Sequence, residues 1–227
     1  MNSLDTIANT VHHYSSVGST GRWNRAVGGG HTLRKFTLLA LVAAMTFSLA
    51  VAATPASADE GFEFTYFPHE GIDVEFANDW GRPRDNGERS HRGNDIFSPK
   101  MTPIVAVADG FITKIGEGDR PGYQVRIRHA NGWQTWYFHL NNDTPGTDDN
   151  RGGYEHAFAE GLEEGMFVEA GTVIGYVGAS GNAEPTPPHT HFELHRGGQA
   201  INPYYHLRDA WRRQQRVYRL FDSLELD

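Results

Sequence analysis

The sequence predicts a mainly β chain, with strands paired antiparallel and one helix at the C-terminal end. Three observations predict it. Between residues 62 and 203 the apolar residues fall in short runs rich in Val, Ile, Phe, Tyr and Trp, parted by Gly, Asn, Asp and Pro. No long helical period interrupts those runs, so a parallel sheet with crossover helices does not fit. The last 25 residues change period and become rich in Arg and Leu. Hydrophobic residues make up 38% and aromatics 12% of the 227 residues, enough for a packed core and against wholesale disorder.

The N-terminal end reads as an address. Residues 1–30 are polar, Gly/Ser-rich and aperiodic. Arg34-Lys35, an apolar run over 36–53 and Ala56-Ser57-Ala58 follow in the order of a secretory signal peptide. The run is about 18 residues, the lower limit for a membrane span, so an uncleaved membrane anchor is the alternative. Pro55 stands just before the Ala-x-Ala site and favours cleavage after Ala58. The expected product is secreted, extracellular or cell-wall associated, without stable membrane association once the signal is removed.

In the body, strands are expected over 104–108, 111–115, 123–128, 133–140, 172–177 and 191–195. Asn131-Gly132 between two of these runs signals a type I′ turn, and Asp109-Gly110 suggests a second tight turn. Residues 141–165 are too polar for core and too long for a plain connection. Asp143, Asp148 and Asp149 there could hold a cation such as calcium, but no EF-hand spacing is present and a solvated acidic loop is the favoured reading. Asn202-Pro203 opens the helix, whose apolar stripe is Leu207, Trp211, Val217, Leu220, Phe221 and Leu224. The arginines between them read as a solvated face. The expected divisions are a leader and signal over 1–58, one domain over 59–205 and a helix over 206–227.

Composition narrows the chemistry. With no cysteine, a disulfide framework and any thiolate-ligated metal are excluded, so a metal would need His, Asp or Glu. The net charge of −8 argues against a nucleic-acid partner held by phosphate neutralisation. Among the 12 histidines, two patterns stand out. In His189-Thr190-His191 a strand would put both imidazoles on one face about 6.5 Å apart, with Thr190, Phe192 and Leu194 turned to the core. In His91-Arg92-Gly93-Asn94-Asp95 a straight strand would part the His and Asp by about 13 Å, too far for one metal. Gly93 permits the bend that would bring them together. Two His and one carboxylate form a familiar catalytic zinc set with water in the fourth position. Alternation in the run 133–140 places Trp133, Thr135, Tyr137 and His139 on one face, with His139 at its end beside the long loop.

Taken together, His91-x-Gly-x-Asp95, Tyr137-Phe138-His139-Leu140 and His189-x-His191-Phe192-Glu193 resemble, in order and spacing, the lysostaphin-like (LytM-type) zinc endopeptidases. Phe67-Pro68, Trp80-Gly81-x-Pro83-Arg84, the segment 103–110, the Gly-rich segment 168–178 and the turn ending in Asn202-Pro203 resemble the scaffold of that family. The resemblance implies a duplicated hybrid motif: an antiparallel β core with one Zn2+ per chain at the floor of an open groove. It implies His91, Asp95 and His191 as metal ligands and His139 and His189 as the catalytic pair that does not bind metal. It implies a peptide substrate from bacterial peptidoglycan. Asn94 departs from the family's apolar residue, and the segment 141–165, longer than in compact members, could wall the groove. A non-catalytic wall-binding relative that activates or scaffolds another hydrolase is the alternative. The segment 168–178 also resembles lipoyl and biotinyl carriers, but neither Lys100 nor Lys114 lies in a carrier motif.

Overall fold

A computed structural model describes residues 61–224. The expected leader, its apolar run and the Ala56-Ser57-Ala58 site lie outside the described residues. The elements in chain order are β1 (Glu75–Phe76), β2 (Pro83–Arg84), β3 (Arg89–Ser90), β4 (Asn94–Phe97), β5 (Pro103–Val105), β6 (Gly110–Gly118), β7 (Gly122–Arg128) and β8 (Trp133–Phe138). They continue with α1 (Gly153–Ala157), β9 (Phe167–Val168), β10 (Val173–Tyr176), β11 (His189–Arg196), β12 (Gln199–Ile201) and α2 (Tyr204–Leu224). Among the described residues no helix is long and apolar enough to cross a membrane.

The main sheet has eight strands in the order β1-β4-β11-β8-β7-β6-β9, with β12 sharing the β4 edge of β11, and all its pairings are antiparallel. Two small sheets, β10-β5 and β2-β3, flank it. The mainly β, antiparallel expectation and the C-terminal helix therefore hold. β8 shows why these runs form strands. Trp133, Thr135 and Tyr137 are buried while Gln134, Trp136 and Phe138 between them are partly open, the alternation of a sheet with one face on the core. That core collects Phe64, Ile104, Ile112, Val125, Phe192 and Leu194 among its members. Each large apolar side chain fully buried there contributes about 1.5–3 kcal/mol.

The turn at Asn131-Gly132 forms as expected. Both residues take positive φ (54° and 75°), and the Trp133 N–H donates to the Ala130 carbonyl. Asp109-Gly110 does not form a tight turn. Gly110 instead opens β6, and an added Cβ would press on Ile127 and the Arg128 carbonyl, so close packing is what requires glycine there.

Residues 141–165 are less solvated than expected. They contain α1, place Ala157 and Phe158 in the core, and bury Asp143. The Lys100 ammonium sits 2.5 Å from carboxylate oxygens of both Asp143 and Asp148. A lysine thus occupies the position that the sequence offers to calcium.

α2 begins at Tyr204, its first N–H capped by Asn202 Oδ1 at 3.0 Å. Only the first part of the expected stripe is seated. Leu207 and Ala210 are buried and Trp211 packs on Phe67, but Val217, Leu220, Phe221 and Leu224 are exposed. The last described ties to the body are Gln214 to the His69 carbonyl and Tyr218 to the Gly71 N–H.

Candidate metal centre

His191 and Asp95 face each other directly across the β11–β4 ladder. His91 arrives from the segment between β3 and β4. Gly93 allows that approach, though not by a positive φ: a Cβ here would overlap the Phe192 carbonyl oxygen and lie 3.0 Å from the His191 ring. Glycine is needed so that the segment can lie flat against β11. His91 Nε2, Asp95 Oδ1 and His191 Nδ1 then form a triangle with edges of 3.0, 2.9 and 2.8 Å. All three side chains are nearly buried.

The outer nitrogens fix the tautomers. His91 Nδ1 donates to the Asp79 carbonyl at 3.0 Å, with Asp79 Oδ2 3.2 Å away. His191 Nε2 donates to Glu193 Oε1 at 3.1 Å, and Glu193 Oε2 accepts from His195 at 2.6 Å. In their neutral forms both imidazoles therefore aim lone pairs into the triangle, beside a carboxylate oxygen. One proton can bridge a pair of these atoms, but two would set N–H groups head-on along the 2.8 Å edge. A cation satisfies all three atoms at once. Tetrahedral N and O ligands around zinc lie about 3.4 Å apart, close to these edges. Carboxylate or carbonyl partners on the outer nitrogens are the usual support of metal-bound histidine. Among the described residues this is the group of His, Asp and Glu side chains placed to hold an ion.

The charges agree. Burial pushes His91 down, but its hydrogen bonds to the Asp79 and Asp95 carboxylates outweigh it and raise its pKa to about 9. His191 is likewise raised against burial by Asp95 and Glu193. Burial works to raise Asp95, yet the two imidazoles hold it far below the carboxylate range. Glu193 is lowered to about 2, against its burial, by His191 and His195.

His139 and His189 complete the site. His189 Nδ1 donates to the Pro187 carbonyl and His139 Nδ1 to the Ser180 carbonyl, both at 2.9 Å. Nε2 of each is left unprotonated in the neutral ring. Their ring centroids are 5.2 Å apart, and His189 Nε2 lies 3.9 Å from Asp95 Oδ1. Burial, aided by neighbouring imidazoles, lowers His139 to about 3; burial lowers His189 as well. Both are neutral at physiological pH. His139 does not follow the alternation of β8, which would send it inward with Tyr137. Its φ of 64° turns it to the opposite face. There it lines a groove of about 520 Å³ with Trp136 and Phe138. No residue of 141–165 lines that groove, so the segment does not wall it.

All five residues singled out in the sequence therefore meet in one place. Sequence reasoning assigned no role to Asp79, Arg84, Asn94 or Glu193. Glu193 was within reach, since 189, 191, 193 and 195 share a strand face. Asp79 was not, because its partners are 12 and 15 residues away with no local pattern linking them. Asn94 holds Asp79 through Nδ2 at 2.7 Å, and that is what a polar residue does at this otherwise apolar position.

The model described as Peptidase family M23 matches residues 89–203, which include all five site residues. The L-Ala–D-Glu endopeptidase of Bacillus subtilis is 31% identical over 153 residues, covering 63% of this chain and 42% of that protein. The peptidoglycan DD-endopeptidase ShyC of Vibrio cholerae is 32% identical over 115 residues, covering 51% of this chain and 22% of that protein. A crystallised lytM chain from Ruminococcus gnavus superposes with a TM-score of 0.52 at 29% identity, over 66% of this chain and 61% of that one. The chain spans less than half the length of these two curated relatives.

Proposed function

The chain belongs to peptidase family M23, and from that premise we propose that it is an exported, zinc-dependent endopeptidase acting on peptide cross-links of bacterial peptidoglycan. The observation that carries this reading is the buried triangle of two imidazole nitrogens and one carboxylate oxygen, open to a groove with two further neutral histidines. The names of the Bacillus and Vibrio relatives support the substrate class. Residues 1–58 would direct export and 59–205 would form the peptidase domain.

His91, Asp95 and His191 would hold the ion, with Asp79 and Glu193 fixing the two rings. Zinc bound by three protein ligands supplies Lewis acidity and a water that ionises near neutral pH. The chain's own part is positional and protonic. The groove aligns an extended peptide over the sheet face. His139 and His189, held by carbonyls with Nε2 free, are placed to take the proton of the attacking water. The imidazolium so formed can return it to the leaving amine. Their depressed basicity keeps them in the accepting form at neutral pH.

The test combines metal analysis with release of soluble fragments from purified peptidoglycan. Near-stoichiometric zinc with fragment release is expected of the wild type. His191→Ala should lose both, and His189→Ala should keep the metal and lose cleavage. A zinc-loaded wild type that releases nothing would overturn the enzyme reading in favour of a wall-binding scaffold.

A further inference from the structure

Four arginines line the groove: Arg84, Arg89, Arg120 and Arg126. Three are already matched by acids of the chain itself. Arg84 pairs with Asp95 and Asp79, and Arg89 and Arg120 both pair with Asp85. Arg126 is different. Its Nε donates to Gln124 Oε1 at 2.8 Å, and its guanidinium lies 4.0 Å above the Trp136 ring and 5.6 Å from that of Phe138. Those contacts fix the plane of the fork, and among the described residues its two terminal nitrogens have no hydrogen-bond acceptor. Glu193, in the same row on β11, acts on it through space without an ion pair, and a half-buried guanidinium held on an aromatic face with no carboxylate in contact is preorganised for a planar two-oxygen ligand.

The sheet register gives its distance from the candidate metal centre. Arg126, Trp136 and Glu193 stand opposite one another on β7, β8 and β11. The neighbouring row on the same face, one pair further along, is Phe138, His191 and Asp95. With strands about 4.8 Å apart and about 3.4 Å of rise per residue, Arg126 and His191 have Cα atoms about 12 Å apart and the guanidinium reaches back toward Trp136. Over Trp136, one strand closer, the guanidinium lies about 8 Å from the His191 position, the length of two or three residues of extended peptide.

We propose that Arg126 forms a carboxylate-binding subsite, which selects peptides bearing a free carboxylate two to three residues from the bond that is cut. The inference rests on the peptidase reading above and adds a substrate chemistry to it. It also gives the groove a reason to keep one guanidinium out of contact with any acid in a chain whose net charge is −8.

The experiment uses purified peptidoglycan before and after carbodiimide coupling of its free carboxylates to ammonia, together with soluble stem peptides released from each preparation. Wild type should cleave the native material about tenfold or more faster than the amidated material. In Arg126→Gln that ratio should collapse toward one, and Arg126→Lys, with charge but no fork, should fall between. A merely structural role for Arg126 would lower both rates together and preserve the ratio, which overturns the proposal. So does a wild type indifferent to amidation. Calorimetric titration of the stem peptides gives a readout without turnover: native peptide should bind wild type about tenfold more tightly than Arg126→Gln, with amidated peptide equal for both. If neither material is cleaved but this difference in binding stands, the endopeptidase reading fails and the carboxylate subsite survives. Equal binding throughout removes the subsite.

Discussion

Loading the metal-free protein with zinc should expel at least one proton per ion near neutral pH. The number follows from the charges buried around the triangle. Asp79, Asp95 and Glu193 are nearly buried, with Arg84 as the guanidinium against them, which leaves an excess of two negative charges. Without an ion, the two imidazoles supply the compensation. His91 is raised to about 9 and so carries a proton at pH 7; His191 is raised in the same direction by Asp95 and Glu193, against its burial. A divalent cation needs both inner nitrogens as lone pairs, so it competes with those protons. The sign is fixed: ligands that must lose protons bind metal more tightly as pH rises. Apparent affinity should therefore climb about tenfold or more per pH unit from about 6.5 to 8 and level off as pH passes about 9. Calorimetric titrations in buffers of different ionisation enthalpy count the protons directly, and chelator competition gives the slope. Zinc binding with no proton release and a flat pH profile would refute the assignment of His91 and His191 as ligands.

Other perturbations reach the same framework from different sides. Gly93→Ala forces a Cβ into the Phe192 carbonyl and the His191 ring, so the segment carrying His91 must lift from β11; a stability loss of about 1–3 kcal/mol in urea unfolding and weaker zinc binding are expected, and unchanged affinity would remove the packing argument. Asn94→Leu should keep the fold but weaken zinc binding about tenfold by freeing Asp79, as chelator competition would show. Lys100→Met leaves the buried Asp143 carboxylate without its ammonium, and thermal unfolding should report a loss of about 1–3 kcal/mol after allowance for the lysine's exposure. His69 is fully buried between Ser98 and Thr190, and burial, with His189 adding to it, lowers its pKa to about 3 from 6.5. The unfolded chain therefore takes up this proton first, so the contribution is complete above 6.5 and drains as pH falls toward 3. About 2–3 kcal/mol should be lost by pH 4.5, and His69→Gln should lose that part of the slope in urea titrations; identical slopes would show that His69 is not the group responsible.

Much of this was legible along the chain because β structure writes a local code. Thr190, Phe192 and Leu194 alternate with His189, His191 and Glu193, and the apolar set is fully buried as that pattern requires. His91 and Asp95 were readable only as a pair needing a bend. The reason Gly93 serves lies in β11, roughly a hundred residues on, where no local pattern could show it. His139 marks the limit of the code. Alternation assigns it to the core face, and only its positive φ, at a position with neither Gly nor Asn to announce it, delivers it to the groove. The segment 141–165 failed in the same way, since Asp143 and Asp148 are neutralised by a lysine 43 residues before the first of them.

The core and the site are one specification read from two faces of a strand. A one-residue slip of β11 against β4 and β8 would exchange its faces. Phe192 and Leu194 would leave the interior, and His189, His191, Glu193 and His195 would enter it, the two histidines nearest β4 parted from Asp95. The apolar cost alone is about 3–6 kcal/mol for two large side chains, and burying a polar face that has lost its cross-strand carboxylate adds to it. The register that centres His191 on Asp95 is therefore held mainly by side chains that never touch the groove. A hydrophobic core of this kind fixes the triangle before any ion arrives, so metal affinity need not carry the cost of assembling its ligands.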